Sequence, residues 1–158
     1  MALHHYPGEH YAWLRDRFGP LPRLTGPGSM GENIAATGLL EDVVFLGDRF
    51  RLGTALLEIS QPRQPCVTIE RHLESSGIVK AIVQSGRCGW FYRVLEPGIA
   101  AAGDALVLMD RGHEAWSVRR VFAAVYGTKP DPALMAEITR LARVSDRLAL
   151  DIHKRLRA

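Results

Sequence analysis

Ser60-Gln61-Pro62-Arg63-Gln64-Pro65-Cys66 follows the apolar run Ala55-Leu56-Leu57-Glu58-Ile59 and precedes Val67-Thr68-Ile69-Glu70-Arg71. The apolar run is short and sharply bounded, which is the pattern of a buried strand. The residues after Cys66 alternate and turn polar. Pro62 and Pro65 each remove a backbone donor and fix φ, so they predict an end to the strand's ladder and a stiff loop beyond it. That loop carries one thiol, Cys66, and one guanidinium, Arg63, and stiffness suits a loop that holds a ligand. On chemistry alone two readings of Cys66 stand. It is a ligand thiol, which needs exposure and a lowered pKa, or the small buried hydrophobe that most free cysteines are.

Short strands surround this stretch. Val43 to Phe50 is apolar and broken by Gly47-Asp48, which predicts a hairpin turn. Arg49 to Gly53 and Ala55 to Ser60 follow at the spacing of a closed β-barrel. Gly77 to Gln84 fits strand or helix by periodicity. Gly89 to Leu95 sets Trp90, Tyr92 and Val94 against Phe91, Arg93 and Leu95, large residues on both faces, and predicts a strand buried on both sides. Arg93 within it then needs a carboxylate or a bound anion, because an unpaired buried charge costs several kcal/mol. The last strand is predicted over Ala105 to Met109.

Helices flank the strands. Tyr11, Leu14 and Phe18 recur at helical spacing before Gly19-Pro20. Ser117 predicts an N-cap for Val118 to Tyr126, ended by Gly127. Pro130-Asp131-Pro132 introduces Ala133 to Ala142, and Ser145 caps Asp146 to Leu156. His5 and Glu9 would share a helix face as a metal pair, but Pro7-Gly8 separates them, so His4, His5 and His10 read as surface or packing histidines.

Composition bounds the rest. A chain of 158 residues with 47% apolar and 23% charged side chains reads as a globular domain with an appendage. No apolar run approaches the ~20 residues of a membrane span, and the first residues lack a secretion signal. Two cysteines are too few for a disulfide framework, so a cytoplasmic setting is expected. The net charge of +3 concentrates in the last third. No aromatic residue follows Tyr126, so the cations from Lys129 to Arg157 read as a solvated helical surface rather than a nucleic-acid footprint.

Gln61-Pro62-Arg63-Gln64-Pro65-Cys66 resembles the signature of MOSC domains, the family named after the C-terminal domain of molybdenum-cofactor sulfurase. Gly31-Glu32-Asn33-Ile34, Gly38-Leu39, Gly47-Asp48, Gly89-Trp90-Phe91-Tyr92-Arg93-Val94-Leu95 and Gly103-Asp104 match in order, and Ser117 to Ala158 resembles the three-helix extension of the YiiM-type branch. The fold implied is mainly β with α additions: a MOSC-type β-barrel over residues 1–112 and a small three-helix segment over 113–158. The resemblance also favours a short helix at Gly77 to Gln84. Relatives of this type have further strands and a His-Gly-Gly loop before the segment matching Ala2 to Tyr6, which implies a barrel incomplete at the N-terminus and suggests a homodimer sharing strands across the opening.

The function implied is binding of the molybdenum cofactor (molybdopterin), with Cys66 as catalytic residue and molybdenum ligand. Arg63 and Arg93 are then candidates for its phosphate or pterin oxygens, and Glu32 and Asn33 for hydrogen bonds along the pterin edge. Members of this branch are associated with reduction of N-hydroxylated compounds, including hydroxylaminopurines, by electrons from a separate reductase. Two alternatives stand beside it: a sulfur carrier with a persulfide on Cys66, or cofactor handling without turnover, and a shortened barrel without catalysis. The sequence departs from the family where an aromatic residue and a lysine commonly follow the cysteine. Val67 and Thr68 stand there, and Thr68 offers a hydrogen bond but no cation. Cys88, where relatives commonly have threonine, reads as a packing residue.

Overall fold

A computed structural model describes residues 3–157; Met1 and Ala2, at the head of the predicted N-terminal segment, and Ala158, the last residue of the predicted tail, lie outside the described residues. The strands are β1 (Leu3–His5), β2 (Arg49–Leu52), β3 (Ala55–Pro62), β4 (Trp90–Glu96) and β5 (Leu106–Asp110). The helices are α1 (Glu9–Phe18), α2 (Thr68–Leu73), α3 (Ile78–Ser85), α4 (Val118–Tyr126), α5 (Pro132–Ile138) and α6 (Asp146–Leu156). The strands form a five-stranded antiparallel sheet in the order β1-β4-β3-β2-β5. The chain is mainly β with helical additions, as expected.

Local chemistry explains most of the boundaries. The Ser117 hydroxyl accepts from Arg120 N at the start of α4, and the Ser145 hydroxyl accepts from Leu148 N at the start of α6. The segment favoured as a helix on resemblance is α3, closed by Gly86 in the left-handed region. The outer edge of β1 is covered by residues 33–36: Tyr6 N donates to Ile34 O at 3.0 Å and Gly8 N to Ala36 O at 2.9 Å. Apolar side chains of the sheet and of α4 to α6 share one core, from Trp90, Tyr92 and Ile59 to Phe122, Ile138 and Ile152.

Several expectations are corrected. β3 does not end at Ser60 but runs through Pro62, paired with Trp90 across an irregularity between Ile59 and Gln61. Proline is accommodated there because it stands at the strand's end, next to an irregular register. Residues 68–73, to which their alternation and polarity assign no element, form a helix and bury Ile69 and Leu73, one turn apart. Gly47-Asp48 is not a hairpin. The buried Asp48 carboxylate instead gathers Phe45 N, Gly112 N and Arg111, and the hairpin between β2 and β3 turns at Gly53-Thr54. β4 is buried only at Trp90 and Tyr92, while Val94, Leu95 and Glu96 are exposed. α5 stops at Ile138 instead of Ala142, and Arg143 takes a positive φ of 66° as the chain turns toward α6.

Candidate functional site

Cys66 is exposed in the short loop between β3 and α2. Its Sγ lies 3.0 Å from Thr68 Oγ1 and 3.3 Å from Thr68 N. Both groups can donate to a thiolate, and they hold the thiol below its ordinary range, with Arg63 and Arg71 adding to the effect. Thr68 thus stabilises the charged sulfur without supplying a cation. The other cysteine, Cys88, is buried, and burial pushes its thiol well up. It is a packing residue, as its sequence suggests.

Arg63 stands one residue beyond β3, where its N–H donates to Gly89 O at 3.0 Å. One guanidinium nitrogen, Nη2, reaches Met30 O at 3.5 Å, and Nη1 is buried with no partner. Burial pulls the guanidinium's pKa down, against the opposing influence of Tyr6, Cys66, Cys88 and Glu32. Arg63 therefore holds a free donor, screened from water, beside the exposed sulfur. A cavity of about 250 Å³ opens between the 28–31 loop, Arg63 and the α2 residues Thr68, Ile69 and His72.

Neither Glu32 nor Asn33 lines this cavity: Glu32 holds the 28–31 loop that does, and Asn33 faces a different space. The Glu32 carboxylate accepts from Gly28 N at 2.7 Å, from Met30 N at 3.1 Å and from the Tyr11 hydroxyl. Asn33 Oδ1 accepts from His4 N at 2.8 Å, and Asn33 N donates to His4 O at 2.9 Å. These bonds fix the glycine-rich loop and tie it to β1. Behind them His4 and His5 are buried, and their pKa values are driven to about 4 and about 3, chiefly by desolvation. His5 stacks on Trp90 at 4.2 Å, and His10 Nε2 meets both Glu41 oxygens at 2.9 Å. The three histidines are packing residues in the interior, not on the surface. Gly89 is required where β1 meets β4: it has φ +67° and a Cβ there would lie 2.3 Å from His5 O.

Arg93 is not brought to the cavity. Its Nε donates to Glu58 Oε1 at 2.7 Å and its Nη2 to Arg143 O at 2.6 Å. It borders a separate space of about 300 Å³ between Gln61 and the start of α6. Of its two readings from sequence, the carboxylate partner is present. A larger cavity of about 430 Å³ lies between β1, the 33–36 segment and residues 100–106, with no thiol or imidazole on its walls. His72 escaped the sequence reading; had 68–73 been read as a helix, its four-residue spacing from Thr68 would have placed both on one face.

A β-sheet that presents an exposed cysteine after Gln-Pro-Arg-Gln-Pro, backed by a Gly-Glu-Asn loop, is the plan of a MOSC domain. The MOSC domain pattern matches residues 1–107, and the chain belongs to that family. Within the family it is YiiM-like. It is 40% identical over 110 residues to Protein YiiM of Escherichia coli (strain K12), covering 70% of this chain and 49% of that protein. It is 36% identical over 159 residues to a protein of Gibberella moniliformis (strain M3125 / FGSC 7600) named "Reductase", covering 99% of this chain and 28% of that one. The crystal structure of YiiM from Geobacillus stearothermophilus superposes with a TM-score of 0.89 at 37% identity, covering 98% of this chain and 78% of that one. YiiM from Escherichia coli gives 0.88 at 33% identity, covering 98% and 77%. The chain thus spans between about a quarter and a half of the length of these curated relatives. The family is associated with molybdenum-cofactor binding. Among the described residues no helix is long and apolar enough to cross a membrane, and no cluster of His, Cys, Asp and Glu makes a metal site by itself.

Proposed function

We propose that the chain binds the molybdenum cofactor through Cys66 and reduces N-hydroxylated compounds such as hydroxylaminopurines, with electrons from a separate reductase. The observation that carries this reading is the pairing of an exposed, acidified thiol with a guanidinium whose Nη1 has no protein partner. The residues present fit the cofactor. A thiolate is the ligand that a soft, sulfur-rich metal centre takes, and an unpaired guanidinium donor suits a phosphate or pterin oxygen. When bound, the cofactor supplies the two-electron chemistry.

The chain's own groups supply the rest. Thr68 favours the thiolate form of the sulfur through its hydroxyl and its backbone N–H. Arg63 orients the bound anion from a place where water does not compete. Glu32 acts through the loop it holds rather than by direct contact, and Asn33 fixes that loop to β1. Arg93 belongs to the Glu58 cluster and takes no part in binding. The Gibberella relative named "Reductase", in which this chain matches 28% of the length, supports a redox role completed by other protein.

The test is reduction of 6-hydroxylaminopurine to the amine by cofactor-loaded protein with a reducing partner. The wild type is expected to turn over and Cys66→Ser to be inactive. A Cys66→Ser protein that keeps its metal and its activity contradicts the assignment. Bound molybdenum without turnover points to cofactor handling instead.

A further inference from the structure

We infer that His72 is the general acid of this site, protonating the oxygen that leaves the substrate nitrogen; the inference rests on the function proposed above. Reduction of an N-hydroxylated amine balances as R–NHOH + 2 e⁻ + 2 H⁺ → R–NH₂ + H₂O. The N–O bond breaks, the two electrons come from the separate reductase by way of the cofactor, and the oxygen leaves as water. Hydroxide is a poor leaving group, so a proton delivered to that oxygen lowers the barrier. The second proton, on nitrogen, comes from solvent.

The cavity beside Thr68, the residue that touches Cys66 Sγ, has one side chain able to deliver the first proton. Gly28, Gly31, Met30 and Ile69 have none to give. The Ser29 hydroxyl is bonded to Gly26 O at 2.7 Å, and Thr68 is engaged with Cys66. Arg63 keeps its proton at any working pH. His72 lines the same cavity, and histidine is the side chain that exchanges a proton between pH 5 and 8. It follows Thr68 by one helical turn on α2, so the imidazole and the sulfur's hydrogen-bond donor share a face.

The backbone at His72 is tied to the neighbouring loop. Arg23 Nη1 donates to His72 O at 3.3 Å, and Arg23 Nη2 pairs with Glu74 at 2.8 Å. The charged groups near His72 are Arg63, which lines the same cavity, Arg23, which meets the His72 carbonyl and Glu74, and Arg71, its neighbour in sequence. His72 is also exposed, so water restores its proton after each turnover.

The experiment measures kcat for 6-hydroxylaminopurine between pH 5.5 and 8.5 with cofactor-loaded wild type, His72→Gln and His72→Ala. A general acid must be protonated, so wild-type kcat falls toward alkaline pH. His72→Gln should lose about 100-fold in kcat and lose that limb, with molybdenum content unchanged, and added imidazole should partly restore His72→Ala. In cofactor-free protein, the His72 imidazole resonances should shift when 6-hydroxylaminopurine is added. A His72→Gln enzyme within threefold of wild type, with the same falling limb, overturns the inference while leaving the proposed reaction intact. A wild type that binds molybdenum but reduces nothing overturns both.

Discussion

Arg63 and Arg93 belong to the same β3–β4 pairing, yet they end in opposite situations. Arg93 meets Glu58, a carboxylate 2% exposed, which also accepts from Arg49 Nε at 2.7 Å and lies 3.8 Å from Arg143 Nε. Its remaining bond goes to Arg143 O, so it fastens the sheet to the segment leading into α6. Arg63 has only a long bond to Met30 O and an idle Nη1. One guanidinium completes the fold; the other keeps a donor that no described residue engages. A motif can nominate an arginine, but its carboxylate neighbours decide which kind it is.

The largest expected effect belongs to the wall behind Arg63. His4 and His5 titrate near 4 and 3 in the folded chain against about 6.5 when unfolded. The unfolded chain therefore takes up protons first, and stability falls as pH drops below about 6.5, at about 1.4 kcal/mol per pH unit for each histidine. Moving from pH 7 to pH 5 should cost about 4 kcal/mol for the pair. Urea unfolding at the two pH values measures this; equal midpoints would mean the histidines are not buried neutral.

The junction comes next. Glu58→Gln strands the guanidiniums of Arg49 and Arg93 and should cost about 3 kcal/mol, the low end for a broken buried pair because the arginines are partly exposed. Thermal unfolding reads the loss. Molybdenum content per folded chain should not change, and if it drops the two regions are not separate.

Exchanging the arginines sharpens the contrast. Arg63→Gln should lower cofactor affinity about tenfold, the worth of one charge-assisted bond, with little change in melting temperature. Arg93→Gln should lower the melting temperature and leave affinity alone. The reverse pattern would return Arg93 to the cofactor. The smallest effect is at the thiol. Thr68→Val removes the hydroxyl donor, so alkylation of Cys66 by iodoacetamide should begin at higher pH than in the wild type, because less thiolate is present at a given pH.

What the sequence disclosed was what short-range chemistry decides. The start and stop of α4 and the extent of α6 were legible because Ser117, Gly127 and Ser145 cap them from adjacent positions. The Gly47-Asp48 turn was misread because Asp48 is held by Arg111 and Gly112, 63 and 64 residues away. Arg93's partner was hidden for the same reason: Glu58 faces it only once the β3–β4 register is known. Of the site, Cys66 and Arg63 were visible through their motif. Glu32 and Asn33 were visible by position, but their bonds to backbone were not. His72 was lost with the helix that carries it, whose six residues are too few to show a period.

The central claim is that Cys66 holds the metal. Its most direct test is the molybdenum content per chain of wild type and Cys66→Ser, each purified from cells making the cofactor and shown to be folded by circular dichroism. The account predicts molybdenum approaching one atom per chain in the wild type and a near-complete loss in Cys66→Ser. Equal content in the two proteins would contradict it.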